Sequence, residues 1–278
     1  MRDRLLRYLD DKKECLVRVA LTTGLVHRAQ RIQNYAPSSI AFLGELLTGA
    51  LLMEDSAKES KETLSLEFKG DGPLEKAIVK VKNDGSVCGY ASAPKAIGGI
   101  GKGFLTLVKD EGMATPYVST LPLLSEDVAD NLIYYYAFSE QLPTFFCLGV
   151  RLGKKGEVLY SFGYSVQALP GISKEGARKI EGNIAAMPSK EELMQKEEEP
   201  EAIASLLLKG LSYTQMEEKS VRFRCSCSKA KGLKKIKTLS KGELISMVSE
   251  GKKLEVTCGN CGQKYVYMPK DIKALLGD

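Results

Sequence analysis

With 278 residues, the chain can bury a sizeable core, enough for one large domain and one or two smaller pieces. Its 44% apolar and 27% charged residues are ordinary for a soluble globular protein, and no apolar run reaches secretory-signal or transmembrane length. The net charge of +5 is uneven: from Arg222 to Asp278 there are 13 Lys/Arg against 5 Asp/Glu, so a basic tail follows a mildly acidic body.

That charge split points to an anionic partner, or to the tail docking on its own body. The scattered charges of the N-terminal "MRDRLLRYLDDKKECLVRVAL" argue for a cytoplasmic protein with no membrane partner. In that compartment thiols stay reduced, and seven cysteines read as metal ligands or redox groups rather than a disulfide framework.

In chain order, residues 14–33, with the alternation "ECLVRVAL", carry a strand signal. The stretch 38–57 sets Ile40, Leu43, Leu46, Leu47 and Leu51 on one stripe and predicts a buried helix. "ETLSLEFKG" and "KAIVKVKNDGSVCGYAS" alternate again, with a hairpin turn at Asp84-Gly85; a second hairpin turns near Glu111-Gly112. A helix is expected from Ser125, as N-cap, to Gln141. "TFFCLGVRLG" and "EVLYSFGYSVQAL" read as two more strands, ending at Pro170-Gly171. Paired strands broken by helices predict an α+β fold: a large, mostly antiparallel-sheet domain with helices over residues 1–184.

The texture changes near residue 185. Residues 185–221 read as a helical linker. Ser189 and Glu192 form a capping box, Pro200 suits a first helical position, and Gly210 a stop. Helices this short do not hold in water unaided, so the apolar stripe Ile203, Leu206 and Leu207 must lie on another surface. The acidic run 197–201 reads as a solvated helix edge. Residues 222–278 make a small C-terminal zinc-binding domain, with a helix capped by Ser240 and Glu243, a strand at "KYVYM" and a terminal helix at "DIKALLGD".

That last segment holds Cys225 and Cys227 in a C-x-C arm and Cys258 and Cys261 in a C-x-x-C arm. Four soft sulfur donors in two local pairs suit one tetrahedral Zn2+ and leave no position open for a substrate water. The metal is therefore structural or regulatory, and a metalloenzyme is disfavoured. Structural zinc contributes roughly 10–16 kcal/mol of apparent folding free energy in small peptides, and whole domains are stable by about 5–15 kcal/mol. The segment's fold should depend on the metal. Under oxidation each thiolate's nearest partner lies in its own pair, although Cys225 and Cys227 can bridge only if the backbone bends. The metal ties position 227 to 258, a loop closure worth about 3–4 kcal/mol. Two local disulfides would replace that long tie and constrain little, so oxidation is expected to eject zinc and unfold the segment.

The chain resembles the redox-regulated chaperones of the heat shock protein 33 family nearly end to end. The resemblance rests on "GELLTGALLM", "GDGPLEKAIV", "GYASAP", "GKGFLTLVKDEG", "SEQLPT", "VQALPG" and "FRCSCS…CGNCGQKYVY", in family order. It implies a non-enzymatic, ATP-independent holdase, inactive when reduced and zinc-bound. Oxidative stress would join Cys225 to Cys227 and Cys258 to Cys261, release zinc, and unfold the linker and switch. The active form would be a homodimer that binds unfolding client proteins. Ser228-Lys229-Ala230-Lys231 replaces the family's arginine-rich segment and Tyr35 a family histidine; client preference and activation threshold are expected to differ with them, while the four cysteines are kept. The client surface is placed at Ile203, Leu206, Leu207 and whatever they cover.

Other features carry less. "GGIGKGF" lacks the first glycine and the hydroxyl of a phosphate loop and precedes a strand pattern, so it reads as a glycine-rich turn. His27 is the sole histidine and is assigned a structural role; Cys15, Cys88 and Cys147 read as small core residues. The rival function is a zinc ribbon that binds nucleic acid through Lys229, Lys231, Lys234, Lys235, Lys237 and Lys241, but no RNA-binding signature accompanies them.

Overall fold

A computed structural model describes residues 2–54, 62–251 and 253–275. The chain divides into two compact units, Met1–Arg224 and Cys225–Asp278. The ends of two expected helices, at residues 55–57 and 276–278, lie outside the described residues.

In the first unit, β1 (Arg4–Asp10) and β2 (Cys15–Leu21) form a hairpin whose turn is held by Asp10, a carboxylate that accepts from the N–H groups of Lys12, Glu14 and Cys15. The strand signal stops at Leu21. Beyond it Leu25, Val26 and Ala29 recur at helical spacing and become the buried face of α1 (Thr23–Gln33). Next comes α2 (Pro37–Met53), with 13 of its 17 residues buried, far more than one stripe. The reason is its position between two sheets, where a helix must be apolar all round.

The hairpins at Gly85 and Gly112 form as expected, both glycines taking positive φ. They join β4 (Lys76–Lys82) to β5 (Ser86–Ala91) and β6 (Gly103–Asp110) to β7 (Tyr117–Pro122); β3 (Thr63–Gly70) lies between β4 and β6. The glycine-rich segment 98–104 is a turn from β5 toward β6. A Cβ at Gly103 would sit 1.9 Å from the Lys69 carbonyl oxygen, so backbone packing explains the glycine.

After β7, α3 (Val128–Tyr135) starts two residues later than expected. Its N-cap is Asp127, whose carboxylate accepts from the Asp130 N–H, while Ser125 accepts from the Asp127 N–H. The helix ends in a π-turn over Tyr136–Glu140. Strands β8 (Thr144–Leu152) and β9 (Val158–Ala168) follow, then a helix not expected from the sequence, α4 (Lys174–Ala185). Helices α5 (Lys190–Lys196) and α6 (Pro200–Leu207) appear with the expected capping box and first-position proline. The chain then extends as β10 (Tyr213–Ser220) and the two-residue β11 (Arg222–Phe223), neither of them expected.

The result is α+β. One sheet has the order β10-β1-β2-β9-β8, antiparallel throughout; the other runs β11-β5-β4-β3-β6-β7, antiparallel except where β11 joins β5. One core lies around α2 between them. A second lies on the far face of the five-stranded sheet, where α4, α5 and α6 cover Tyr8, Val17, Val19, Tyr160, Phe162 and Tyr164. Among the described residues no helix is long and apolar enough to cross a membrane.

Candidate metal centre

The second unit is built on a hairpin, β12 (Leu254–Thr257) with β13 (Lys264–Tyr267). Before the hairpin come α7 (Lys229–Ile236) and α8 (Lys241–Ser249), where the sequence suggested one helix; after it comes α9 (Pro269–Lys273). Among the described residues its core has four buried members, Ile236, Leu244, Tyr267 and Ile272. So small a core is a weak source of stability.

Cys258 and Cys261 lie in the hairpin's turn. The Cys258 N–H donates to the Gln263 carbonyl at 2.9 Å and the Gly262 N–H to the Cys258 carbonyl at 2.9 Å, with Gly262 at positive φ. This curl aims the Asn260 N–H at Cys258 Sγ, 3.4 Å away. Cys225 and Cys227 precede α7, whose N-cap is Ser228. In an extended chain, residues two apart share a face but stand far apart; here the backbone bends so that the Cys227 N–H donates to Cys225 Sγ.

The four sulfurs all lie within 4.8 Å of one another. Sγ of Cys225 is 3.9 Å from that of Cys258, and Sγ of Cys227 is 3.5 Å from that of Cys261. Four sulfurs around one tetrahedral zinc at about 2.3 Å would stand about 3.8 Å apart. The donor set and its spacing therefore fit a single metal ion, and the chain's four cysteine sulfurs can hold one.

The surroundings act unequally on the four sulfurs. Burial pushes Cys225 and Cys261 above the ordinary thiol range. Burial acts on Cys258 as well, but the N–H groups of Asn260 and Cys261 outweigh it and hold that thiol below its ordinary value. The Tyr265 hydroxyl adds a contact to Cys227 Sγ at 3.1 Å. Two residues on, Tyr267 is fully buried, donates to the Lys229 carbonyl at 2.7 Å, and has the Lys229 ammonium 5.5 Å from its ring centre. Neither tyrosine was singled out in the sequence. The signal available was "KYVYM", whose alternation puts both on one face of a strand next to the C-x-x-C arm.

The remaining sequence candidates are elsewhere. Ile203 and Leu207 are buried on α6 together with Ala204, but Leu206 is 38% exposed and lies off that face; Leu208 takes its place. The acidic run is more than a solvated edge. Glu199 and Glu201 pair with Arg4 at 3.2 and 2.7 Å, Glu197 pairs with Arg151, and the Tyr160 hydroxyl donates to the Glu198 carbonyl at 2.5 Å. Cys15 and Cys88 are buried and Cys147 is half-buried; His27 is exposed on α1. Lys231, Lys234 and Lys235 are exposed on the face of α7 opposite Leu233 and Ile236.

Comparison with known proteins agrees with this architecture. The family model described as Hsp33 protein matches residues 3–268. The 33 kDa chaperonin of Clostridioides difficile (strain 630) is 32% identical over 99% of this chain and 99% of its own. That of Thermoanaerobacter sp. (strain X514) is 32% identical over 99% and 98%. Among solved structures, the 33 kDa chaperonin of Thermotoga maritima aligns with a TM-score of 0.89 at 27% identity, covering 99% of this chain and 98% of that one.

Proposed function

The chain belongs to the Hsp33 family, whose members are chaperones and not enzymes, and on that premise we propose that it is a redox-regulated, ATP-independent holdase of the cytoplasm. In this reading the reduced protein is dormant. Bound at Cys225, Cys227, Cys258 and Cys261, zinc supplies the tie that holds the C-terminal segment folded.

The sulfurs carry the switch. The two thiolates of each pair give up two electrons to one peroxide molecule, which takes two protons from solvent and leaves as two waters, and the pairs close as Cys225–Cys227 and Cys258–Cys261. These bonds are local and constrain little of the chain between the arms. Residues 222–278 then lose their order, and residues 185–221 act as a linker that follows. The linker covers the aromatic sheet face of Tyr8, Tyr160, Phe162 and Tyr164 through Ile203, Ala204 and Leu207. Its release would bare an apolar surface for unfolding clients, joined by Leu206, in an active homodimer.

The observation that carries the reading is the convergence of four sulfurs from two arms on one point, in a unit with a four-residue core. The test follows zinc release, free thiols and suppression of client aggregation in one peroxide time course. The three should move together. Aggregation suppression that tracks neither zinc loss nor thiol loss would overturn it.

A further inference from the structure

Strand β10 is the outermost strand of the five-stranded sheet, and it is held there with little apolar burial. Of Tyr213–Ser220, only Glu217 and Lys219 are partly buried. Both belong to an ion network on β1 and the end of α2: Arg7 reaches Glu54 at 2.8 Å and Glu217 at 3.2 Å, and Lys219 reaches Glu54 at 3.0 Å and Glu217 at 3.4 Å. Glu218 faces Arg4 at 3.7 Å. The one ring contact is an edge-on approach of Tyr213 to Tyr8 at 5.7 Å. Backbone ladder and charge, rather than packing, keep the strand in place. Beyond it, before Cys225, the chain is anchored by the two-residue pairing of β11 with β5, by the buried Val221 and by Phe223, which packs against the core around α2.

The strand beneath is different. Leu5 and Leu6 of β1 are fully buried, Tyr8 nearly so, and β2 pairs along its other side. When β10 leaves, β1 stays, now with the N–H and C=O groups of alternate residues unpaired along its seven-residue edge. Such an edge binds any extended chain that can continue the ladder.

We propose that the exposed edge of β1, Arg4–Asp10, is a docking site for client protein, which takes an extended client segment as an added antiparallel strand in the place β10 occupies at rest. The occupant's chemistry is copied from β10 itself. The chain's own strand presents Glu217 directly opposite Arg7, Glu218 diagonally to Arg4, and Lys219 to Glu54, so segments with acidic or uncharged polar residues against the two arginines fit best. Backbone recognition of this kind is indifferent to most side chains, which suits a holdase with many clients. The inference rests on the proposed release of residues 185–221 upon oxidation.

Hydrogen exchange on the full-length protein tests it in three states: reduced, peroxide-oxidised, and oxidised with reduced carboxymethylated α-lactalbumin, a permanently unfolded client. Oxidation should open the β1 and β10 amides, and the client should re-protect those of β1 while β10 stays open. A synthetic peptide of the Tyr213–Ser220 sequence should compete with the client; the same peptide N-methylated along one edge should not. If β1 opens on oxidation and stays open with client bound, or if both peptides compete equally, strand addition is overturned and the switch survives. Protection of β1 and β10 unchanged by oxidation would instead overturn the switch, and this inference with it.

Discussion

The Tyr265 hydroxyl stands 3.1 Å from Sγ of Cys227, which makes the second strand of the terminal hairpin part of the sulfur cluster. A hydrogen bond to a charged group contributes about 1.5–3 kcal/mol. Tyr265→Phe should therefore weaken zinc retention by roughly tenfold or somewhat more, since 1.4 kcal/mol is a factor of ten. Competition of the reduced protein against a chromogenic chelator reads this directly. A curve identical to that of the parent would reduce the phenol to a packing role.

Chelation of the reduced protein should unfold the second unit and leave the first standing. Ile236, Leu244, Tyr267 and Ile272 are a core too small to offset the entropy of ordering more than fifty residues. Hydrogen exchange should show loss of protection across α7, α8 and the β12–β13 hairpin, with α2 unaffected. A compact second unit in the chelated protein would remove the physical basis of the switch.

On α6, neighbouring leucines should behave oppositely. Leu207 is 1% exposed on the inner face of the linker and Leu206 is 38% exposed. Leu207→Ala should cost about 2–5 kcal/mol and lower the oxidant dose needed for activation, because the linker is loosened in advance. Leu206→Ala should stay within about 0.5 kcal/mol in stability. Peroxide titrations of holdase activity on both variants decide this, and equal thresholds would argue against α6 as the cover.

These contrasts also mark how far the sequence could be read. The four-cysteine cluster was legible because sulfur chemistry and spacing are local facts. The capping boxes at Ser189 and Ser240 and the hairpin glycines at 85 and 112 were legible for the same reason. Strand β10 was not: "YTQMEEKS" has almost no apolar alternation, because an edge strand held by its ladder and by Arg7 buries little. Leu206 looked like part of a stripe because a short helix offers too few turns to fix its buried face. The strand signal after Cys15 obscured the change to helical spacing at Leu25, which tertiary packing on α2 and β9 makes real.

Thiol reactivity should divide the cysteines cleanly. Burial pushes Cys15 up to about 12 and Cys147 up to about 11. At pH 8 both should be silent toward a disulfide reagent in the folded protein, while the cluster thiols react once a chelator is present. Mass mapping of the modified peptides checks this; early labelling of Cys15 would contradict its placement in the sheet's covered core.

Glu45 links α2 to the linker and makes the first unit's stability depend on pH. Its carboxylate lies 3.6 Å from the ammonium of Lys190, the first residue of α5. Burial is the dominant influence and raises its pKa to about 7, against an opposing pull from Lys190 and a further push from Asp127. Between the ordinary carboxylate value and about 7 the folded chain keeps a proton that the unfolded chain has lost. Folding then binds a proton, and stability must fall as pH rises through that window, by up to about 1.4 kcal/mol per pH unit. Below the window the stabilisation is fully present; above about 7 it is gone. Glu45→Gln removes the titration, so the stability of the parent relative to the variant should decline from pH 5.5 to 7 and then level off. Urea midpoints of the two reduced, zinc-loaded proteins across that range measure the difference, with other titrating groups cancelling between them. A relative stability that rises with pH would show that the Lys190 pairing, and not burial, controls this carboxylate.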